Sequence, residues 1–174
     1  MNKLQVMLSS EDIQRRVRDM GLEISEDYAD KDLVLVGVLR GAFMFLADLS
    51  RHISVPLQID FLGLSSYGNA TKSTGIVRMT SDLAQPIKDK HVLIVEDIVD
   101  TGLTSRYLFE NLRTRKPASL EMCALLEKPM NNKNGLPIRY LGFTIPNQFV
   151  VGYGMDYKGL HRNLPYVGVL SPKK

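Results

Sequence analysis

The sequence predicts an α/β fold, a parallel sheet with helices on both faces. Two observations carry this. The runs Leu33–Leu39, Val92–Val95 and Ser119–Leu126 are mostly apolar and rich in branched residues, the pattern of strands buried on both faces. Each ends in a turn rich in glycine or charge, and the first two lead into segments whose apolar members have helical spacing. With 174 residues, 44% of them hydrophobic, the chain suits a single domain with a substantial core.

The elements follow in order. Ser9 or Ser10 can cap a first helix, with Asp12 three residues after Ser9. Ile13, Val17, Met20, Ile24 and Tyr28 recur at spacings of 4, 3, 4 and 4, which makes one apolar stripe. Gly21 interrupts this scaffold helix at a cost of about 1 kcal/mol. The buried strand Leu33–Leu39 is followed by Arg40-Gly41 and a helix, Ala42 to His52, that is apolar nearly all round. A strand, a short glycine turn and a helix make an anion-binding corner. Arg40 adds a charge that matches phosphate geometry. An ordinary turn carrying a surface arginine fits the same pattern.

Pro56 to Gly63 alternates as a strand does, and Ile76 to Met79 resumes that pattern. Between them Leu64 to Thr74 is small and polar, which predicts either a mobile loop over a site or a long hairpin loop. Gln85-Pro86 breaks the chain, and Lys88-Asp89-Lys90 leads into the next strand. His91, at the start of that strand, reads as a surface residue. Pro117 ends the helix that reaches Arg115, and the third core strand closes at Glu127-Lys128-Pro129. Lys128 either faces the ligand edge or simply charges the strand end. Pro137–Phe143 and Phe149–Gly152 read as short strands. Gly152-Tyr153-Gly154 is not a dinucleotide loop, because Tyr157 stands where the third glycine belongs and no helical pattern follows.

The chemistry concentrates in the stretch from Val92 to Thr104. Four apolar residues are followed by Glu96, Asp97 and Asp100, then by Thr101-Gly102-Leu103-Thr104 and a helical pattern from Ser105 to Leu112. The reading is strand, acidic loop, helix N-terminus, the corner where open α/β sheets bind ligands. A helix start offers unpaired N–H groups and a positive dipole end to a phosphate. Gly102 permits close approach, and Thr101, Thr104 and Ser105 add hydroxyl donors. Glu96 and Asp97 are acceptors suited to sugar hydroxyls or Mg²⁺. Together these grips match a phosphorylated ribose. A capped helix with solvated acids is the plainer alternative, but three carboxylates at a buried strand end repel one another and argue against it.

An apolar strand, two adjacent acids, two apolar residues, Asp, Thr-Gly, one residue and Thr resemble the phosphoribosyl-diphosphate (PRPP) signature of type I phosphoribosyltransferases. From about Leu33 to Leu170 the chain is similar to the 6-oxopurine branch, the hypoxanthine-guanine phosphoribosyltransferases. The resemblance implies a parallel sheet flanked by helices, with a core at about 30–130. It adds a small hood from the N-terminal segment and about 135–174. It implies transfer of a phosphoribosyl group from PRPP to hypoxanthine or guanine, giving IMP or GMP and pyrophosphate, with Mg²⁺, in a homodimer or homotetramer. Leu39-Arg40-Gly41-Ala42 looks like the pyrophosphate loop, where the family's backbone is strained. Glu96, Asp97, Asp100, Thr101, Gly102, Leu103, Thr104 and Arg162 complete the implied PRPP contacts. Asp100 is the implied general acid/base. Lys128 matches the lysine that donates to the purine 6-oxygen, Phe149 the ring that stacks on the base and Val150 a backbone contact. Asp156 lies near the base edge and, with Glu96 and Asp97, is an implied metal ligand. Ser66-Tyr67 matches the family's flexible-loop dipeptide. Met130-Asn131-Asn132 departs from relatives that carry more basic residues after the lysine.

Composition bounds the setting. Cys123 is the one cysteine, in an apolar run, so it reads as a buried thiol and excludes an intrachain disulfide. No signal-peptide pattern or membrane-length apolar run is present, and a reducing cytoplasmic setting without membrane association is expected. Outside secretion the Asn69-Ala70-Thr71 sequon carries no meaning. The net charge of +3 suits an anionic substrate. The basic groups Arg15-Arg16-Arg18 and Arg113-Arg115-Lys116 read as solvated helix faces, so nucleic acid is not an expected partner. Walker A, His-Glu-x-x-His and paired zinc cysteines are absent. A PRPP-binding transcriptional regulator and a phosphoribosyltransferase for another base are the alternatives.

Overall fold

The computed structural model describes residues 4–67, 76–132 and 137–170, with backbone alone at 66, 67 and 76. In chain order the elements are β1 (Leu4–Leu8), α1 (Ser10–Asp27), β2 (Leu33–Leu39), α2 (Phe43–His52), β3 (Leu57–Tyr67), β4 (Ile76–Ser81), β5 (His91–Val99), α3 (Leu103–Arg113), β6 (Ser119–Glu127), β7 (Tyr140–Thr144), β8 (Val150–Val151) and β9 (Val167–Leu170). Among the described residues they form two sheets. The larger has the order β4-β3-β2-β5-β6-β7, parallel except where β4 pairs antiparallel with β3. The smaller is antiparallel, with the order β1-β9-β8.

Alternation along the central strands builds two cores. Leu33 and Leu35 of β2, Leu93 and Val95 of β5 and Cys123 of β6 pack with α1 and α2. Val34 and Val36, Val92 and Ile94, and Met122 pack on the opposite face with α3. Both faces of β5 are therefore dry, which explains its continuous apolar run. Ser9 caps α1 by accepting from the Asp12 N–H at 3.1 Å, and Ile13, Val17, Met20 and Ile24 are fully buried. Cys123 is a buried free thiol, as its apolar run predicts.

Several sequence-based boundaries shift. The expected acidic loop begins too early: β5 runs to Val99, so Glu96 and Asp97 are strand residues. Pairing with β2 ends at Val95, but pairing with β6 continues to Val99 opposite Glu127 and keeps the backbone extended. Residues 64–67, expected as loop, continue β3. Antiparallel pairing with β4 supplies backbone partners that small polar side chains do not advertise. The rest of the expected loop, 68–74, and the sequon within it lie outside the described residues. Helix α2 starts at Phe43, with Ala42 as its cap. The strand expected from Pro137 begins at Tyr140, and the one expected at 149–152 is confined to Val150–Val151. His91 is half-buried, its Nδ1 2.8 Å from Ser119 Oγ, so it is not a plain surface residue. Strands β1 and β9 have no counterpart in the sequence reading. Among the described residues no helix is long and apolar enough to cross a membrane.

Gly21 looks like a defect in α1 but marks its contact with α2. A Cβ there would lie 2.5 Å from His52 Cβ and 2.8 Å from the His52 carbonyl. Gly21→Ala should therefore destabilise the protein by about 1–3 kcal/mol through overpacking, despite the better helix propensity of alanine. Calorimetry should show a lower Tm; a raised Tm would mean the two helices separate freely.

Candidate active site

The carboxyl ends of β2, β5 and β6 meet segment 146–162 along one edge of the large sheet, where open α/β sheets place ligands. A cavity of about 360 Å³ opens there, and its lining includes Arg40, Gly41, Asp97, Asp100, Lys128, Phe149, Val150, Asp156 and Arg162. Residues far apart in sequence thus share one space. The β2–α2 turn contributes its backbone: the Leu39–Arg40 peptide bond is cis. A Cβ on Gly41 would overlap the Asp97 carboxylate, and one on Gly154 would overlap the Gly41 carbonyl oxygen. Gly154 also has φ +100°, a conformation L side chains rarely adopt.

A second cavity of about 180 Å³ adjoins the first at the start of α3, lined by Glu96, Asp97, Asp100, Thr101, Gly102, Thr104 and Ser105 among others. Gly102 is the cap residue in the left-handed region, φ 74°, with no side-chain cap on the helix. The first intrahelical bond runs from Arg106 N to Gly102 O at 2.9 Å, so the N–H groups before it have no intrahelical carbonyl to bond, and the Leu103 N–H reaches Thr101 Oγ1 at 3.5 Å. This is the geometry of an anion site.

The two acids of β5 diverge, as neighbours on a strand must. Glu96 is only 4% exposed and accepts a hydrogen bond from Ser105 Oγ at 3.3 Å. Burial pushes its carboxyl up to about 8, and the Asp97 charge adds to the rise. Asp97 lies against Gly41 on the other face. Burial pushes it up to about 6, and Asp156 adds to the rise. Backbone N–H groups of Ile98 and Asp97 and the Arg162 guanidinium oppose it. Both acids therefore lack sufficient positive charge. Among the described residues no three metal-ligating side chains converge into a cage. Mg²⁺, however, keeps most of its waters and takes one or two carboxylates plus substrate phosphates. Under-compensated carboxylates beside an anion site fit that mode.

At the end of β6, Lys128 is 8% exposed, and its Nζ lies 3.0 Å from Asp100 Oδ2. Asn131, singled out in the sequence only as part of a departure from more basic relatives and given no role there, donates from Nδ2 to Asp100 Oδ1 at 2.7 Å. Its only sequence signal is its place three residues after Lys128. Phe149 is 52% exposed, which removes it from the core, and meets the Tyr157 ring edge-on at 5.7 Å. Val150 is buried in β8. Asp156 is paired with Arg162 at 2.7 Å and accepts from Gly159 N at 2.7 Å, while Arg162 also donates to Gly154 O at 2.6 Å. Arg162 thus braces the turn in this structure. The backbone of Ser66 and Tyr67 lies in β3, past the last residue of β2, which pairs with Gly63. Their side chains lie outside the described set. Leu103 opens α3 and is partly exposed.

A family model described as "Phosphoribosyl transferase domain" matches residues 7–158. The chain is 50% identical to a hypoxanthine-guanine phosphoribosyltransferase of Staphylococcus epidermidis, across 95% of this chain and 93% of that protein. It is 48% identical to the protein so named in Mycobacterium avium, across 97% and 86%. A crystal structure of a hypoxanthine phosphoribosyltransferase from Staphylococcus aureus superposes with a TM-score of 0.92 at 47% identity, covering 97% of this chain and 91% of that one.

The raised Glu96 pKa makes stability depend on pH. Native Glu96 holds its proton more tightly than an unfolded glutamate, whose pKa is near 4.5. Stability from this group is thus full below about pH 4.5 and is lost as pH rises through about 8. Glu96→Gln should raise the Tm of the ligand-free protein by at least about 3 °C at pH 8.5, and by much less near pH 5. Parallel pH curves for the two proteins would show that Glu96 is compensated in solution.

Proposed function

The chain belongs to the phosphoribosyltransferase family, and from that premise we propose that it transfers the 5-phosphoribosyl group of PRPP to nitrogen 9 of hypoxanthine or guanine. The C1′–oxygen bond to pyrophosphate breaks, the C1′–N9 bond forms, and the purine proton leaves. The products are IMP or GMP and pyrophosphate, which makes the reaction one of purine salvage. The observation that carries this reading is the pairing, in one cavity, of a buried ammonium, Lys128, with an exposed aromatic ring, Phe149.

Each group has a role its chemistry suits. The α3 N-terminus, with Thr101, Gly102, Leu103 and Thr104, receives the 5′-phosphate. Arg40 and the Gly41 backbone receive pyrophosphate, and Arg162 holds the turn carrying Gly154 against that loop. Glu96 and Asp97 face the ribose hydroxyls. Mg²⁺, when bound, would neutralise charge on the diphosphate; Asp97 and Asp156 are the residues that would hold it, while Glu96, expected as a third ligand, points to the other face of β5 towards Ser105. Phe149 stacks on the base beside Val150, with Asp156 at the base edge. Lys128 donates to the 6-oxygen, and Asp100 takes the proton at nitrogen 7. Ser66 and Tyr67 belong, on this reading, to a segment that closes over the site and excludes water. Catalysis then rests on positioning and charge, not on a covalent intermediate.

The base panel tests this. An ammonium donates and never accepts, so it suits a 6-oxo group and opposes the 6-amino group of adenine. With PRPP, hypoxanthine and guanine should give nucleotide, and adenine about 10⁴-fold less efficiently. Adenine used as readily as hypoxanthine would leave only the wider phosphoribosyltransferase assignment. Asp100→Asn should lower kcat about 10²–10⁴-fold with little change in the KM for PRPP; parental kcat would remove Asp100 from proton transfer. Phe149→Leu keeps the apolar volume but loses the aromatic face. The stacking, worth roughly 1–3 kcal/mol, should appear as a raised KM for the base, and an unchanged KM would mean the ring does not touch it.

A further inference from the structure

We infer that Asn131 is a positioning residue for catalysis, a side-chain bridge that fixes the Asp100 carboxylate and ties it to the loop carrying the base-stacking ring. This rests on the reading of Asp100 as the group that takes the purine proton.

The geometry is specific. The backbone N–H of Lys128 donates to Val99 O at 3.0 Å, which fastens the end of β6 beside the residue preceding Asp100. The chain then turns, and the Asn131 N–H donates to Lys128 O at 3.0 Å. One short turn therefore presents two donors to one carboxylate: Lys128 Nζ at Oδ2, 3.0 Å, and Asn131 Nδ2 at Oδ1, 2.7 Å. The same Nδ2 lies 2.9 Å from Asn147 Oδ1. An amide nitrogen carries two hydrogens, and two acceptors take them. Because a carboxylate only accepts, chemistry fixes the orientation of the Asn131 amide. Asn147 stands two residues before Phe149, so this nitrogen spans from Asp100 to the Phe149 loop.

The consequence is mechanical. Lys128 alone would leave the Asp100 carboxylate free to rotate about its last bond. The second donor stops that rotation and leaves the remaining lone pairs directed at the cavity. A displacement of about 1 Å at a reacting group is enough for a large loss of rate. PRPP binds on the other side of Asp100, at Arg40 and the α3 N-terminus, and should be little affected.

The full-length protein tests this by steady-state kinetics with hypoxanthine and PRPP. Asn131→Asp keeps the size and turn propensity but removes both donors and sets an acceptor against an acceptor. We expect kcat to fall about 10- to 100-fold, the scale of a lost hydrogen bond to a charged group, with the KM for PRPP within about twofold. Asn131→Ala should show a smaller fall of the same kind, and carries the test should the aspartate variant not fold. In an Asp100→Asn background Asn131→Ala should cost almost nothing further, because the group it positions has lost its function. A parental kcat in both single variants, or an equal loss from Asn131→Ala in both backgrounds, overturns the inference. A parental kcat in Asp100→Asn itself overturns the reading of Asp100, and this inference with it.

Discussion

Three groups in sequence hold the site together: the Gly154 backbone on the Gly41 carbonyl, and Gly41 on the Asp97 carboxylate. No side chain fits between them. The segment between β8 and β9 is thereby brought onto the β2–α2 turn, and that turn onto the acids of β5. The contact sets the width of the cavity, because Arg40 sits next to Gly41, and Met155 and Asp156 follow Gly154 in its lining. A methyl at either glycine would push apart the surfaces that line the cavity.

That stack is reinforced away from the cavity. Tyr153 precedes Gly154 and donates its hydroxyl to Asp48 Oδ2 on α2 at 2.6 Å, where Gln14 of α1 also donates at 3.0 Å. Burial pushes the Tyr153 hydroxyl well above its ordinary range, and its bond to Asp48 adds to this, so it remains a donor. Arg51 pairs with the other oxygen of Asp48. The scaffold helices therefore reach the site through a hydrogen-bonded node. This explains why α1 and α2 must approach as closely as Gly21 allows.

How much of this the sequence revealed follows from the range of each interaction. Local patterns exposed the three core strands, the capped first helix and the acidic corner, because period and cap chemistry act over a few residues. The end of β5 was misplaced because Glu96 and Asp97 look like loop residues, while their extended backbone is imposed by β6. Leu64–Tyr67 were misplaced in the same way by pairing with β4. Strands β1 and β9 are short and pair with each other across nearly the whole chain, so neither carries a period of its own. Among site residues, those with a local motif were legible, Asp100 and Gly102 above all. Asn131 was not, because an amide in a turn after a lysine becomes informative only when the fold sets it against Asp100. Phe149 is the intermediate case: an aromatic beside two valines reads as core until its exposure is seen.

The charge distribution supports the same assignment from another direction. Glu96 and Asp97 are held above the ordinary carboxylate range because the fold buries them without enough positive charge. The one arginine that opposes the rise at Asp97 is itself paired with Asp156 and bonded to Gly154. A protein selected only for stability would place a cation or an apolar residue there, since buried acids of this kind weaken the native state at neutral pH. The missing charge is positive, of the kind a divalent cation brings. Lys128 shows the opposite arrangement: its ammonium is nearly buried but paired with the Asp100 carboxylate. On the function proposed above, the diphosphate side is left to be completed by its ligand and the purine side is preorganised. That division suits a reaction whose barrier lies in parting from an anion, with the incoming base only held and aimed.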